Sequence, residues 1–111
     1  MTTFDLDLVH SRSPQNLSRL VSALADLDAC YRGQGDRKIK PTAEHLASPG
    51  HHLLMTRHGP LDMLGTIGQG HDFEALLPHT SELRVGEMHL RVLGLEQLIA
   101  IKEEVGHDKD R

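Results

Sequence analysis

Two aspartates near the start of the chain have a spacing that could support metal chemistry. Asp5 and Asp7 alternate with the apolar residues Phe4, Leu6 and Leu8. In a β-strand this spacing directs both carboxylates to one face and the apolar side chains to the other. Two anions on one face repel each other, but Mg2+ is bound by carboxylates together with substrate phosphates. The pattern therefore predicts phosphoryl or nucleotidyl transfer at a Mg2+ or Mn2+ site; the alternative is an edge strand whose charges prevent aggregation.

Asp62 is a third candidate for the same site. It is the one charged residue in the run PLDML at residues 60–64. A buried carboxylate is costly unless it finds a partner, a metal or solvent. Three acids from two strands could bind two metal ions, which activate the attacking oxygen and stabilise the leaving oxygen. The alternative for Asp62 is an exposed position beside a turn.

The first half of the chain predicts the elements that must position these acids. The opening strand is expected to extend to about His10. Ser13 and Pro14 are typical of the first residues of a helix, which is expected to end near Tyr31. The polar, glycine-rich segment 32–38 predicts a loop. Helical spacing predicts one buried stripe in this helix, formed by Leu17, Leu20, Val21, Leu24 and Leu27.

The second half predicts two pairs of strands and a final helix. The clearest hairpin has strands at 82–85 and 88–92, which alternate apolar and polar residues around a two-residue turn. The order β-α-ββ-α-ββ-α predicts an α+β fold: a single small domain, 1–111, with a mixed, mostly antiparallel sheet flanked by helices. The other expected elements are a helical turn at 42–47, strands at 51–57 and 60–64, a loop at 65–70, a short helix at 71–77 and a helix from Leu95 to near Gly106.

Lys102 is the fourth candidate residue. It lies at helical spacing with Leu95, Leu98, Ile99 and Val105, which predicts an inward-facing position on the last helix. Its stem could lie along the rim of the core while the ammonium reaches solvent. Alternatively, the ammonium could contact the aspartates or the phosphate of a bound nucleotide.

Composition excludes several classes of protein. The formal net charge of −4 over 111 residues argues against a surface whose main task is to bind nucleic acid. The single cysteine, Cys30, excludes an internal disulfide and suits a reducing compartment; we expect a semi-buried thiol within the first helix. No apolar stretch approaches the roughly 20 residues of a membrane helix, so we expect a cytoplasmic protein without membrane contact.

The nine histidines lack zinc-site spacing and are expected to be scattered over the surface.

Three segments resemble the nucleotidyltransferase superfamily with the polymerase-beta-like fold, and its minimal and toxin-type members in particular. They are TFDLD at residues 3–7, GPLDMLG at 59–65, and the ending with LIAIKE at 98–103 and GHDKDR at 106–111. The resemblance implies that Asp5, Asp7 and Asp62 bind Mg2+ or Mn2+ and a nucleoside triphosphate. It also implies transfer of a nucleotidyl group to a hydroxyl on a protein, an RNA or a small molecule.

The chain departs from that family before its first strand. The family holds the triphosphate with a Gly-Ser or Gly-Gly motif on a preceding helix, whereas only Met1, Thr2 and Thr3 precede the strand here. We therefore expect a domain truncated at both ends, which is a nucleotidyltransferase if active. The alternative is a catalytically inactive remnant that serves as an interaction or regulatory module in a toxin–antitoxin-like context. A partner chain would then supply the missing elements. A missing flanking helix would also leave an apolar sheet face open, which predicts self-association.

Overall fold

The computed structural model describes residues 6–109, which form a small α+β domain with a mixed sheet and flanking helices. Its strands are β1 (Leu6–Val9), β2 (Cys30–Tyr31), β3 (His51–Thr56), β4 (Gly59–Leu64), β5 (Thr66–Ile67), β6 (His71–Asp72), β7 (Thr80–Val85) and β8 (Met88–Leu93). Its α-helices are α1 (Pro14–Asp26), α2 (Ala43–Leu46), α3 (Phe73–Leu76) and α4 (Leu95–Lys109), and a 3-10 turn at Leu77–His79 follows α3.

The main sheet has four strands in the order β1-β4-β3-β2. β1 is parallel to β4, and the other two pairs are antiparallel, so the sheet is mixed and mostly antiparallel, as the sequence predicts. Helices α1 and α2 cover one face. The core between them and the sheet is aliphatic and includes Leu17, Leu24, Ala29, Leu46, Leu54, Leu61 and Met63.

The first helix ends earlier than the sequence predicts. Ser13 caps it by accepting a hydrogen bond from the backbone N–H of Asn16, and Pro14 is its first residue. At the other end, Asp28 adopts a left-handed conformation with φ of 56°, and the N–H of Ala29 donates to the carbonyl of Leu24. This turn redirects the chain into the sheet. Cys30 therefore lies on β2, and its predicted position in the helix is wrong.

Three further features differ from the sequence prediction. The segment expected to be a glycine-rich loop followed by a helix contains the small antiparallel pair β5–β6. Helix α3 begins only at Phe73, because Asp72 caps it by accepting from the N–H of Ala75. Helix α4 continues to Lys109 and does not end near Gly106. Glycine inside a helix costs about 1 kcal/mol relative to alanine, which weakens a helix without ending it.

The hairpin β7–β8 has the predicted strands and turn but leaves an apolar face uncovered. Its strands pair in register from Thr80 opposite Leu93 to Val85 opposite Met88. Side chains alternate between the two faces. One face carries charged groups, and the other carries exposed apolar side chains, namely Leu83, Val85, Met88, Leu90 and Val92.

Candidate functional site

The structure brings Asp7 and Asp62 together on one face of the main sheet. Asp7 on β1 is the direct register partner of Asp62 on β4, and the two strands are parallel. Side chains at register positions point to the same face. Leu61 and Met63, on either side of Asp62, are buried in the core below α1 and α2. The two aspartates therefore lie on the opposite face, and Asp5, the third predicted acid, lies outside the described residues.

Arg32 is a site residue that the sequence pattern does not predict. Its Nη2 lies 2.6 Å from Oδ1 of Asp62, and the two side chains are only 25% and 14% exposed. The backbone N–H of Arg32 donates to the carbonyl of Leu53, which extends the β2–β3 pairing by one residue. Leu53 is in turn the register partner of Asp62. The guanidinium thus crosses β3 to reach the carboxylate on β4.

A row of charged groups therefore crosses the sheet from Asp7 through Asp62 to Arg32. Its hard carboxylate oxygens are the ligands that Mg2+ prefers, and one or two carboxylates with substrate phosphates commonly suffice. Asp7 and Asp62 fit this donor set. Within residues 6–109, no group of three or more His, Cys, Asp and Glu side chains could hold a metal ion, so the metal would depend on the substrate or on Asp5 for further ligands.

Lys102 does not lie on a buried stripe of α4. Its side chain is exposed, as are those of Leu95 and Ile99, whereas Ile101 is buried. Helix α4 thus turns Ile101 toward the interior in place of Lys102. Ile101 packs against Gly68, where a Cβ would lie 2.6 Å from Cγ2 of Ile101. The predicted inward position of Lys102 is wrong, and its contact with nucleotide phosphate stays a prediction.

Two histidines lie in the interior on the helix-covered side of the sheet, which corrects the expectation of surface histidines for this pair. Nε2 of His10 lies 2.7 Å from the carbonyl oxygen of Leu46. His52 places Nδ1 3.0 Å from the hydroxyl of Tyr31 and Nε2 3.3 Å from the hydroxyl of Ser48. The two imidazole rings are 6.0 Å apart. Burial, and then the neighbouring His10, lower the pKa of His52.

This lowered pKa predicts a loss of stability in mild acid. The ordinary pKa of histidine is 6.5, so the unfolded chain takes up a proton at His52 before the folded chain does. The stabilisation is complete above pH 6.5 and is lost as the pH falls toward the lowered pKa of the folded state. One such group changes the free energy of unfolding by at most about 1.4 kcal/mol per pH unit. Urea unfolding between pH 5 and 7.5 measures this slope.

The matched variants for this measurement are His52→Gln and His58→Gln, because His58 is exposed. His52→Gln is expected to flatten the pH dependence of the free energy of unfolding, and His58→Gln is expected to keep it. If His52→Gln kept the pH dependence of the free energy of unfolding seen in the parent protein, this proton would not belong to His52.

One sheet face thus carries the adjacent carboxylates of Asp7 and Asp62 and the guanidinium of Arg32. In the part of the chain that the structure describes, no helix is both long and apolar enough to cross a membrane.

Comparison of the chain with protein-family models, curated proteins and solved structures finds no match.

Proposed function

We propose that this protein is a metal-dependent nucleotidyltransferase, which transfers a nucleotidyl group from a nucleoside triphosphate to a hydroxyl acceptor. The observation that carries the proposal is the direct register pairing of Asp7 with Asp62 on one sheet face. Two adjacent carboxylates repel each other, and a cation between or near them offsets this repulsion. Arg32 is one such cation beside Asp62, and a metal ion would add to it. A Mg2+ or Mn2+ ion with a triphosphate fits this role, and the resemblance adds Asp5 as a third ligand.

The transfer proceeds by in-line displacement. The acceptor hydroxyl oxygen forms a bond to the α-phosphorus, the bond from this phosphorus to the bridging oxygen breaks, and pyrophosphate leaves with the electron pair. The hydroxyl proton passes to Asp62. Arg32 contacts Oδ1 of this carboxylate, which leaves Oδ2 for the proton. When bound, the divalent ion neutralises charge on the triphosphate, and most of the rate gain comes from positioning and preorganised charge.

A second candidate function follows from the ion pair itself. Arg32 already neutralises Asp62 in a largely buried setting, which is also what a site without a metal requires. The exposed apolar face of the hairpin β7–β8 is of the kind found at protein interaction sites. These two observations favour the alternative of an inactive interaction or regulatory module.

Metal titration separates the two candidates. A ligand that binds only the folded state raises the midpoint temperature of unfolding. Mg2+ or Mn2+ is therefore expected to raise this temperature for the parent protein. Asp7→Asn is expected to abolish this shift. Glu87→Gln, at the exposed turn of the hairpin, removes the same charge and is expected to keep it. Calorimetry with ATP and GTP then measures nucleotide binding in the presence of Mg2+.

Two results would overturn the enzyme proposal. One is a thermal midpoint that does not respond to either metal ion, together with no binding of ATP or GTP. The other is a metal response that persists in Asp7→Asn, because the cation would then bind elsewhere. Either result would favour the inactive module.

A further inference from the structure

A cavity of about 380 Å³ opens beside Asp7. Ligand sites in proteins are commonly clefts of roughly 300–1,000 Å³ lined by apolar groups with a few polar ones. Here the polar lining residues are Asp7, Thr80 and Arg91. The apolar lining comes from several different elements and includes Leu64, Ile67, Phe73, Leu76, Leu93 and Leu98. The cavity is thus an apolar chamber that shares one wall with the aspartate site.

Arg91 is the cation of this chamber. The hydroxyl of Thr80 donates to the carbonyl of Leu77, so its proton is already used within the protein. Glu82 lies directly opposite Arg91 on the hairpin, but its carboxylate contacts Nδ1 of His89. Among the described residues, no carboxylate forms an ion pair with Arg91. Arg91 is exposed to solvent, so its guanidinium is available to pair with an anionic group of a ligand in the chamber.

We propose that this cavity binds the acceptor of the transfer reaction, and that the acceptor is a small organic anion with a hydroxyl group. Its apolar body occupies the chamber, its anionic group pairs with Arg91, and its hydroxyl lies toward Asp7 and the adjacent Asp62, the register partner of Asp7. The acceptor role rests on the proposed function, because it requires a nucleotide bound at Asp7 and Asp62. The hydroxyl oxygen becomes bonded to the α-phosphorus, pyrophosphate leaves, and the proton passes to Asp62 as described above.

Binding is tested with two probes that differ in charge alone. 3-(4-Hydroxyphenyl)propionate has an aromatic body, a hydroxyl and a carboxylate, and its amide is a neutral molecule of nearly the same shape. Calorimetry is expected to show the acid binding about tenfold or more tightly than the amide, because a charge-assisted contact is lost in the amide. Arg91→Gln is expected to remove this difference. Arg84→Gln is the matched control, since Arg84 is also an exposed hairpin cation but does not line the cavity.

The binding proposal is overturned if the parent protein does not discriminate between acid and amide, if neither probe binds, or if Arg84→Gln acts like Arg91→Gln. Its failure is distinguishable from failure of the enzyme proposal, because the probes are titrated without nucleotide. If the acid binds in an Arg91-dependent way but Mg2+ and nucleoside triphosphate do not bind, the cavity is an anion site and its role as an acceptor site is overturned. If Mg2+ and nucleotide bind but the acid does not, the proposed acceptor class is overturned and the enzyme proposal stands.

Discussion

Under the proposed function, replacing Asp62 with Asn is expected to reduce the rate of nucleotidyl transfer by at least about a hundredfold, because the variant would lose a metal ligand and the group that accepts the acceptor proton. The same change leaves Arg32 without its carboxylate. Since the pair is largely buried, the free energy of unfolding is expected to fall by about 1–3 kcal/mol. Release of pyrophosphate and urea unfolding measure the two effects separately.

The double variant Arg32→Gln/Asp62→Asn separates catalysis from stability. It removes both charges, so an amide pair replaces the ion pair and no uncompensated charge stays in the interior. Its stability is expected to recover most of the loss seen in Asp62→Asn, whereas its transfer rate is expected to stay as low. A transfer rate in Asp62→Asn close to that of the parent would contradict the role of Asp62 in the reaction.

Truncation of Leu54 to alanine is expected to lower the free energy of unfolding by about 2–5 kcal/mol. Leu54 lies at the centre of the main sheet on β3 and is fully buried, with 0% of its surface exposed. The truncation removes buried apolar area and leaves a cavity between the sheet and the helices α1 and α2. Thermal or urea unfolding measures the loss.

Leu53→Ala is the control for this truncation. Leu53 is adjacent in sequence and has the same side chain, but it points to the opposite face of the sheet, where it is 46% exposed. Its truncation is expected to cost less than half as much, because transfer energy scales with the apolar area removed from water. Equal losses for the two variants would contradict the assignment of the core to the helix-covered face.

The strands that hold the site could be predicted because their signals are local. The alternating pattern at the start of the chain and the apolar run around Asp62 identify β1 and β4, and the parallel register then brings Asp7 beside Asp62. The hairpin β7–β8 is likewise determined by alternation and a short turn. In each case a few neighbouring residues decide that the segment is a strand, whereas the parallel register of β1 with β4 depends on a distant contact.

The missed features depend on contacts between distant parts of the chain. Strand β2 has only two residues, which is too short for a periodic signal, and the ion pair of Arg32 with Asp62 requires its register against β3. The sequence also leaves open which face of α4 is turned toward the interior. Stripes through Ile99 or through Ile101 both have helical spacing, and the choice depends on the space left by Gly68.

The parallel pairing of β1 with β4 has a consequence for the order of folding. The antiparallel pairs β3–β4 and β7–β8 close short loops, whereas β1 must find a partner about half of the chain away. Contacts at such separation carry a larger loop-closure entropy and form more slowly. Because β1 is a short edge strand, local opening can separate Asp7 from Asp62 while the rest of the sheet persists. We expect the lifetime of the Asp7–Asp62 pairing to be set by the opening of this one strand, which hydrogen exchange at the amides of β1 measures directly.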